Sequence, residues 1–194
     1  MQRLCIFCGS SIGNQPVYAD AARRFGEALA ARRLGLVFGG GHIGMMGALA
    51  DAALRAGGEV IGVIPQALVD RELAHRGLTQ LHVVGTMHQR KALMADLADG
   101  FAALPGGFGT ADELFEILTW AQLGLHPKPI GLLNVAGFFD PLLAWIEHTV
   151  RAAFLRPEHR GLLVEASDPE ELLDQLLAFR PRQTPAKWID AADR

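Results

Sequence analysis

The chain contains, at residues 105–113, the stretch Pro105-Gly106-Gly107-Phe108-Gly109-Thr110-Ala111-Asp112-Glu113. This glycine-rich stretch lies between a short apolar run at 101–104 and a strongly apolar, helix-like run at 114–125. Three glycines between a strand and a helix let the backbone turn sharply and leave its N–H groups uncovered. Together with the positive end of the helix dipole, those N–H groups predict a binding site for a phosphate.

A purely structural alternative is a capping box, in which Thr110 caps the helix and Glu113 occupies its third position. A helix cap requires one suitable residue at the helix start and does not require three glycines preceded by a proline. We therefore favour a ligand-binding loop over a simple helix start.

Composition limits the classes of protein that the chain can belong to. Its 194 residues suit one domain, and the 50% of hydrophobic residues provide a sizeable core. A net charge of −3 argues against a nucleic-acid or membrane-surface protein, which would carry a basic bias. No stretch reaches the roughly 20 apolar residues of a membrane span. The first residues resemble a strand and not a signal peptide, so we expect a cytoplasmic protein.

Cys5 and Cys8 form a C-x-x-C pattern that is also found in redox and zinc sites. On a strand, their Cα atoms would lie about 10 Å apart, whereas a disulfide needs less than about 7 Å. Zinc would need two further ligands, and the chain has no second cysteine pair. We expect two packed thiols in a reducing compartment and no metal site.

Strand-like and helix-like segments alternate along the chain. The expected strands are 4–7, 36–38, 60–64, 81–84, 101–104, 129–133 and 162–164. Most of them are solidly apolar, which is typical of a parallel sheet covered on both faces. The sequence therefore predicts a single doubly wound, Rossmann-like α/β domain over residues 1–180, with a C-terminal arm at 181–194.

Three loops, at residues 8–11, 39–47 and 105–110, follow strands and carry glycine or serine. In a doubly wound sheet the ligand lies beyond the carboxyl ends of the strands, near a switch in strand order. We therefore expect the three loops to converge on one crevice.

The second of these loops contains Gly39-x-Gly41-x-x-Gly44, which matches a dinucleotide-binding pattern. In dinucleotide-binding units this pattern normally follows the first strand, and an acidic residue ends the second. Here the pattern follows the second strand, and the next strand ends without a carboxylate. These mismatches argue against a nicotinamide cofactor.

The predicted helix at 87–97 carries a cation on an apolar face. The 3.6-residue period places Met87, Arg90 and Met94 on the same side of this helix. A guanidinium on an apolar stripe needs an anionic or polar partner, so an internal ion pair is one explanation for Arg90. Since one strand separates this helix from the stretch at 105–113, we also expect Arg90 to reach the common crevice. Lys91 by itself is expected to be solvated.

Taken together, these residues resemble the Lonely-guy family of phosphoribohydrolases, the cytokinin-activating enzymes, many of which carry an older lysine decarboxylase label. The resemblance spans nearly the whole chain. Its motifs are Pro105-Gly106-Gly107-Phe108-Gly109-Thr110-x-x-Glu113, Met87-His88-x-Arg90-Lys91, Gly39-Gly40-Gly41 with Gly44 and Met46-Gly47, Thr119-Trp120-Ala121-Gln122-Leu123-Gly124, and Lys128-Pro129. Met45 and Asp112 depart from the family pattern, in which leucine and glutamate are frequent.

The resemblance implies hydrolysis of a nucleoside 5′-monophosphate, AMP or an N6-prenylated AMP, to free base and ribose 5-phosphate. It also implies that the reaction uses no cofactor and that the protein is a homodimer. The family's catalytic pair falls on Arg90 and Glu113. Its substrate-binding positions fall on Glu72, Lys91, Gly106, Gly107, Phe108, Gly109, Thr110, Ala111, Asp112 and Thr119.

The expected chemistry suits these residue types. Cleavage of an N-glycosidic bond develops positive charge on the ribose and negative charge on the departing base. A carboxylate can stabilise the former charge, and a permanently charged guanidinium can steady the leaving side or a ribose oxygen. The decarboxylase label has no support, because pyridoxal phosphate needs a dedicated Schiff-base lysine. The competing hypothesis is a non-catalytic nucleotide or molybdenum-cofactor carrier on the same fold.

The helix expected at 110–124 is apolar around most of its circumference. A single sheet covers only one side of a helix, so a second copy of the chain is a natural cover for the rest. The alternative is that helices of the same chain suffice. We expect a homodimer formed through this helix.

Overall fold

The computed structural model describes residues 1–71 and 73–180, so Glu72 and the expected arm at 181–194 lie outside the described residues. Within the described part, all strand pairs are parallel and the strand order is β4-β3-β2-β1-β5-β6-β7. The strands are β1 (Arg3–Phe7), β2 (Gly35–Phe38), β3 (Val60–Pro65), β4 (Gln80–Val84), β5 (Gly100–Ala103), β6 (Ile130–Leu133) and β7 (Leu163–Ala166). Each lies where the apolar runs predicted a strand, with ends that differ by at most two residues.

Eight helices connect or follow these strands in the described residues. They are α1 (Pro16–Ala31), α2 (Gly44–Arg55), α3 (Gln66–Val69), α4 (Met87–Leu97), α5 (Phe108–Gln122), α6 (Asp140–Arg151), α7 (Pro157–Arg160) and α8 (Pro169–Ala178). The single-turn helices α3 and α7 are too short for their periodicity to predict them. A 3-10 turn at Val135–Gly137 precedes α6, which begins at Asp140.

The helices cover both faces of the sheet, as the solidly apolar strands predict. On one face, residues of α1, α2 and α8 pack against Leu4 and Ile6 of β1. On the other face, residues of α4, α5 and α6 pack against Cys5 and Phe7 of the same strand. The expected doubly wound α/β fold is confirmed.

Both cysteines are free and buried, as expected for packed thiols. Cys5 belongs to the core on the α4–α5 face, and Cys8 belongs to the core on the α1–α2 face. Burial in these apolar surroundings is the main reason that the pKa of each thiol is raised above its ordinary value. Both cysteines therefore serve as small core residues.

Strand order reverses at β1, which has β2 on one side and β5 on the other. The loops that leave the carboxyl ends of β1 and β5 therefore diverge toward opposite parts of the sheet. Such a divergence opens a crevice at the sheet edge.

None of the described helices is long and apolar enough to cross a bilayer.

Candidate active site

The three glycine- and serine-bearing loops meet at the reversal point, as the sequence predicted. Gly9 joins them, because its N–H donates to the Pro105 carbonyl at 3.1 Å while its carbonyl accepts from the Met45 N–H at 3.0 Å. The cleft between the loops measures about 310 Å³. Its lining includes Ser10, Ser11, Asn14, Tyr18, Gly106, Gly107 and Phe138.

The stretch at 105–113 forms the start of α5, but not through a capping box. The N-cap residue is Gly107, which has no side chain to cap the start of α5. Thr110 lies inside the first turn and is buried. The alternative that Thr110 caps the helix is therefore wrong, because the N-cap, Gly107, lies three residues before Thr110.

The three glycines of this stretch have different surroundings. A Cβ at Gly106 would collide with Oγ1 of Thr110 and would lie 2.8 Å from the Gly9 nitrogen. A Cβ at Gly107 or Gly109 would have no heavy atom within 4 Å. Packing inside the chain explains the first glycine only. The space beside the other two is open to a ligand at the helix start.

Arg90 reaches the site from α4 and is fixed by backbone carbonyls. Its Nε donates to the Val63 carbonyl at 3.0 Å, and its Nη2 donates to the Gly39 carbonyl at 3.1 Å. Its Nη1 donates to Oε1 of Glu113 at 3.3 Å. The predicted partner for this guanidinium is thus present, and the carboxyl ends of β2 and β3 hold it in place.

Glu113 is a buried carboxyl group in the second turn of α5. Only 9% of the residue is exposed. Burial raises the pKa of Glu113 to about 7, although the Arg90 guanidinium acts in the opposite direction. A buried acid with a pKa near neutrality, in contact with a fixed cation, is a typical arrangement of a catalytic site.

The expectation that Lys91 is solvated is wrong. Its Nζ contacts Oδ2 of Asp112 at 3.0 Å and Oε1 of Glu116 at 3.2 Å, and only 11% of its side chain is exposed. Burial lowers the pKa of Lys91, but hydrogen bonds from the ammonium to Asp112 and Glu116 outweigh it, and the pKa is raised. Because these carboxylates lie on the adjacent helix α5, no spacing within α4 could indicate them.

The described structure brings together most, but not all, of the predicted site residues. Arg90 and Glu113 are in contact, and the residues from Gly106 to Asp112 form the adjoining loop and first turn of α5. Phe108 is 97% exposed. Among the described residues, no hydrogen bond joins Thr119 to Arg90 or Glu113. Its Oγ1 donates to the Phe115 carbonyl, and its side chain lines grooves on the outer side of α5.

Some contributors to the site were not predicted from the sequence. The carbonyls of Gly39 and Val63 hold Arg90, and Glu116 shares Lys91 with Asp112. A true capping box at Thr86 and Gln89 starts α4 and so sets the position of Arg90. Its Thr-x-x-Gln pattern is visible in the sequence and could have been found.

The fold and this site define a doubly wound α/β protein with a buried guanidinium–carboxyl pair beside an open glycine loop. A family model described as possible lysine decarboxylase matches residues 46–176. A cytokinin riboside 5′-monophosphate phosphoribohydrolase of Arabidopsis thaliana is 48% identical over 181 residues, covering 93% of this chain and 85% of that protein. A probable enzyme of the same name from Oryza sativa subsp. japonica is also 48% identical, covering 93% of this chain and 74% of that protein. The chain belongs to the Lonely-guy family of phosphoribohydrolases, and the resemblance predicted from its motifs is confirmed.

Solved structures support the fold. The molybdenum cofactor binding protein of Rippkaea orientalis aligns with a TM-score of 0.69 at 21% identity, covering 92% of this chain and 99% of that chain. The molybdenum cofactor carrier protein of Chlamydomonas reinhardtii aligns with a TM-score of 0.69 at 22% identity and the same coverage. At such low identity these similarities establish the architecture and leave the chemistry to the site.

Proposed function

We propose that the protein hydrolyses the N-glycosidic bond of nucleoside 5′-monophosphates, namely AMP or N6-prenylated AMP, to release free base and ribose 5-phosphate. The observation that carries this proposal is the buried contact between Arg90 and Glu113 beside the open loop at 106–109. The names of the relatives, which are 48% identical, support the same reaction class.

In this proposal, the glycine loop and the start of α5 bind the 5′-phosphate. Backbone N–H groups at a helix start favour an anion, and the N-cap residue of this helix, Gly107, has no side chain to occupy that place. A bound phosphate would hold the ribose close to the catalytic pair. Positioning of this kind lowers the barrier, because the reacting groups no longer have to find each other.

Glu113 and Arg90 then act on the bond that breaks. The ionised carboxylate stabilises the positive charge that develops on the ribose and can orient the attacking water. The guanidinium, fixed by the Gly39 and Val63 carbonyls, steadies the leaving base or a ribose oxygen. The same guanidinium favours the ionised form of Glu113, which burial disfavours.

The direct test is to incubate the protein separately with AMP and N6-prenylated AMP and to quantify free base and ribose 5-phosphate. We expect the two products in equal amounts and much less of both from Glu113→Gln. A preference for one substrate would identify the base that the site accepts. If the wild-type protein bound the nucleotides without releasing base, the carrier hypothesis would replace the enzyme.

We also propose that the protein is a homodimer formed through α5 and the neighbouring α6. An apolar groove of about 510 Å³, lined in part by Phe115, Leu118 and Trp145, runs between these helices and α7. Trp145 is 53% exposed and Phe154 is 82% exposed. Burial of this apolar surface against a second copy of the chain would therefore be favourable. Light scattering at micromolar concentration should give twice the mass of one chain, and a monomeric mass would refute the dimer.

The two free buried thiols fit a reducing compartment, and we propose a cytoplasmic location.

A further inference from the structure

The glycines of the loop at 39–47 are present for different physical reasons. Gly40 and Gly44 adopt φ angles of 74° and 64°, in the region that favours glycine. A Cβ at Gly44 would also strike the Ser10 backbone, and one at Gly47 would strike the His42 carbonyl. The path of the chain therefore explains these three glycines.

Gly39 has no such explanation. Its φ does not fall in the left-handed region, so its backbone conformation is open to any residue. A Cβ at this position would land on Nη2 of Arg90 and would lie 2.9 Å from Cζ of the same side chain. The next neighbour is Sδ of Met46 at 3.4 Å, an ordinary contact distance. The guanidinium of Arg90 therefore occupies the space that a side chain at residue 39 would need.

A collision at this point would displace Arg90 and leave the fold in place. The colliding atoms belong to the end of a long side chain, which can move, whereas the collisions at Gly44 and Gly47 involve backbone. Moving the guanidinium would break its bond to the Gly39 carbonyl and draw it away from Glu113, which it contacts at only 3.3 Å. A side chain at residue 39 should therefore lower activity more than it lowers the stability of the fold.

We propose that Gly39 is a positioning residue: its carbonyl accepts from Arg90, and its lack of a side chain admits the guanidinium to the place where it meets Glu113. This inference rests on the function proposed above. Gly39 itself need not touch substrate. It acts through Arg90, and the first glycine of the G-x-G-x-x-G match accommodates a cation of the protein itself.

The proposal is tested by a double-mutant cycle with Gly39→Ala, Arg90→Lys and the combined variant. Lysine keeps the positive charge but lacks the planar fork that occupies the space beside residue 39. In the wild-type background we expect Gly39→Ala to lower kcat by about tenfold or more, as for a misplaced catalytic group. In the Arg90→Lys background the same change should lower kcat less than about twofold.

The matched control is Gly41→Ala, in the same loop. A Cβ at Gly41 would meet mainly Cε of Met46, the flexible end of a side chain, at 3.0 Å. We expect its kcat to stay within about twofold of wild type, because it leaves Arg90 in place. An equal loss from Gly39→Ala in both backgrounds would overturn the proposal, since the glycine would then serve the loop alone.

A second measurement does not depend on turnover. Since the Arg90 guanidinium lowers the pKa of Glu113, displacing it should raise that pKa, as followed by carboxyl-carbon NMR. An upward shift in Gly39→Ala, absent in Gly41→Ala, supports the positioning role, and an unchanged pKa contradicts it. If wild type released no base, the proposed function would fail while this titration still decided the role of Gly39.

Discussion

The two glycine loops of this protein have the same local structure, but they differ in what lies beside their glycines. Each follows a buried strand and precedes a helix, and each carries several glycines within a few residues. In the loop at 39–47, a guanidinium from α4 lies against Gly39. In the loop at 105–110, the space beside Gly107 and Gly109 is open. A strand–glycine–helix pattern therefore predicts a space at a helix start, and the rest of the fold decides what fills it.

This difference assigns separate tasks to the two loops. The first holds a cation of the protein at the carboxyl edge of the sheet. The second is free to receive the anion of a substrate. Glu113 lies between them, in contact with the cation and on the helix that the open loop begins. Substitutions in either loop, or of Glu113 between them, test this difference.

The largest effect is expected at the contact between Arg90 and Glu113. We expect Glu113→Gln and Arg90→Ala each to lower kcat by about a hundredfold or more, equivalent to roughly 2.7 kcal/mol of transition-state stabilisation. Steady-state release of base from AMP measures this change. Glu116→Gln, one turn further along α5, keeps the pair intact and should lose less than about tenfold. Near-normal turnover in Glu113→Gln would show that this carboxyl group has no part in the reaction.

A smaller effect should appear in the pH dependence of kcat/KM. Burial raises the pKa of Glu113 to about 7, and the proposed reaction uses the ionised form. We therefore expect kcat/KM to fall about tenfold for each pH unit below 7. An acid limb centred near pH 4.5 would mean that Glu113 is not the titrating group.

The same shift predicts the pH dependence of stability. The pKa of Glu113 is higher in the folded state than its ordinary value of 4.5, so its protonated form contributes stability that is complete below about pH 4.5. That contribution is lost as pH rises through about 7, by roughly 3 kcal/mol at most. Denaturant unfolding at pH 5 and pH 8 should show this loss in wild type and a smaller one in Glu113→Gln.

The smallest effects separate the glycines of the open loop. Gly109 lies in the first turn of α5, so Gly109→Ala should raise the free energy of unfolding by about 0.5–1 kcal/mol. The same change should raise KM for AMP, because the added methyl group narrows the proposed phosphate site. Gly106→Ala should instead lower stability, since its Cβ would meet Thr110 and the Gly9 backbone. Equal behaviour of the two variants would contradict the distinction between packed and open glycines.

Sequence patterns predicted most of the features that depend on residues close together in the chain. The apolar runs located the strands, and the apolar stripe around Arg90 indicated that this residue needs a partner. The ion pairs of Lys91 were not predicted, because its partners, Asp112 and Glu116, lie more than 20 residues away on another helix. The role of Gly39 was missed for a similar reason, since it lies 51 residues from Arg90. The start of α5 was misplaced because Gly107, which has no side chain to mark a cap, is its N-cap.

The most direct test of the contrast between a filled loop and an open one is to compare AMP with adenosine at equal concentrations. Hydrogen bonds to a charged group contribute about 1.5–3 kcal/mol each, so two of them would separate the substrates by about two orders of magnitude or more. Part of that difference should appear in kcat, because the bound phosphate holds the ribose beside Glu113. We predict that adenine is released rapidly from AMP and at least about a hundredfold more slowly from adenosine. Comparable rates of adenine release from the two compounds would contradict the assignment of the loop at 105–110 as the phosphate site.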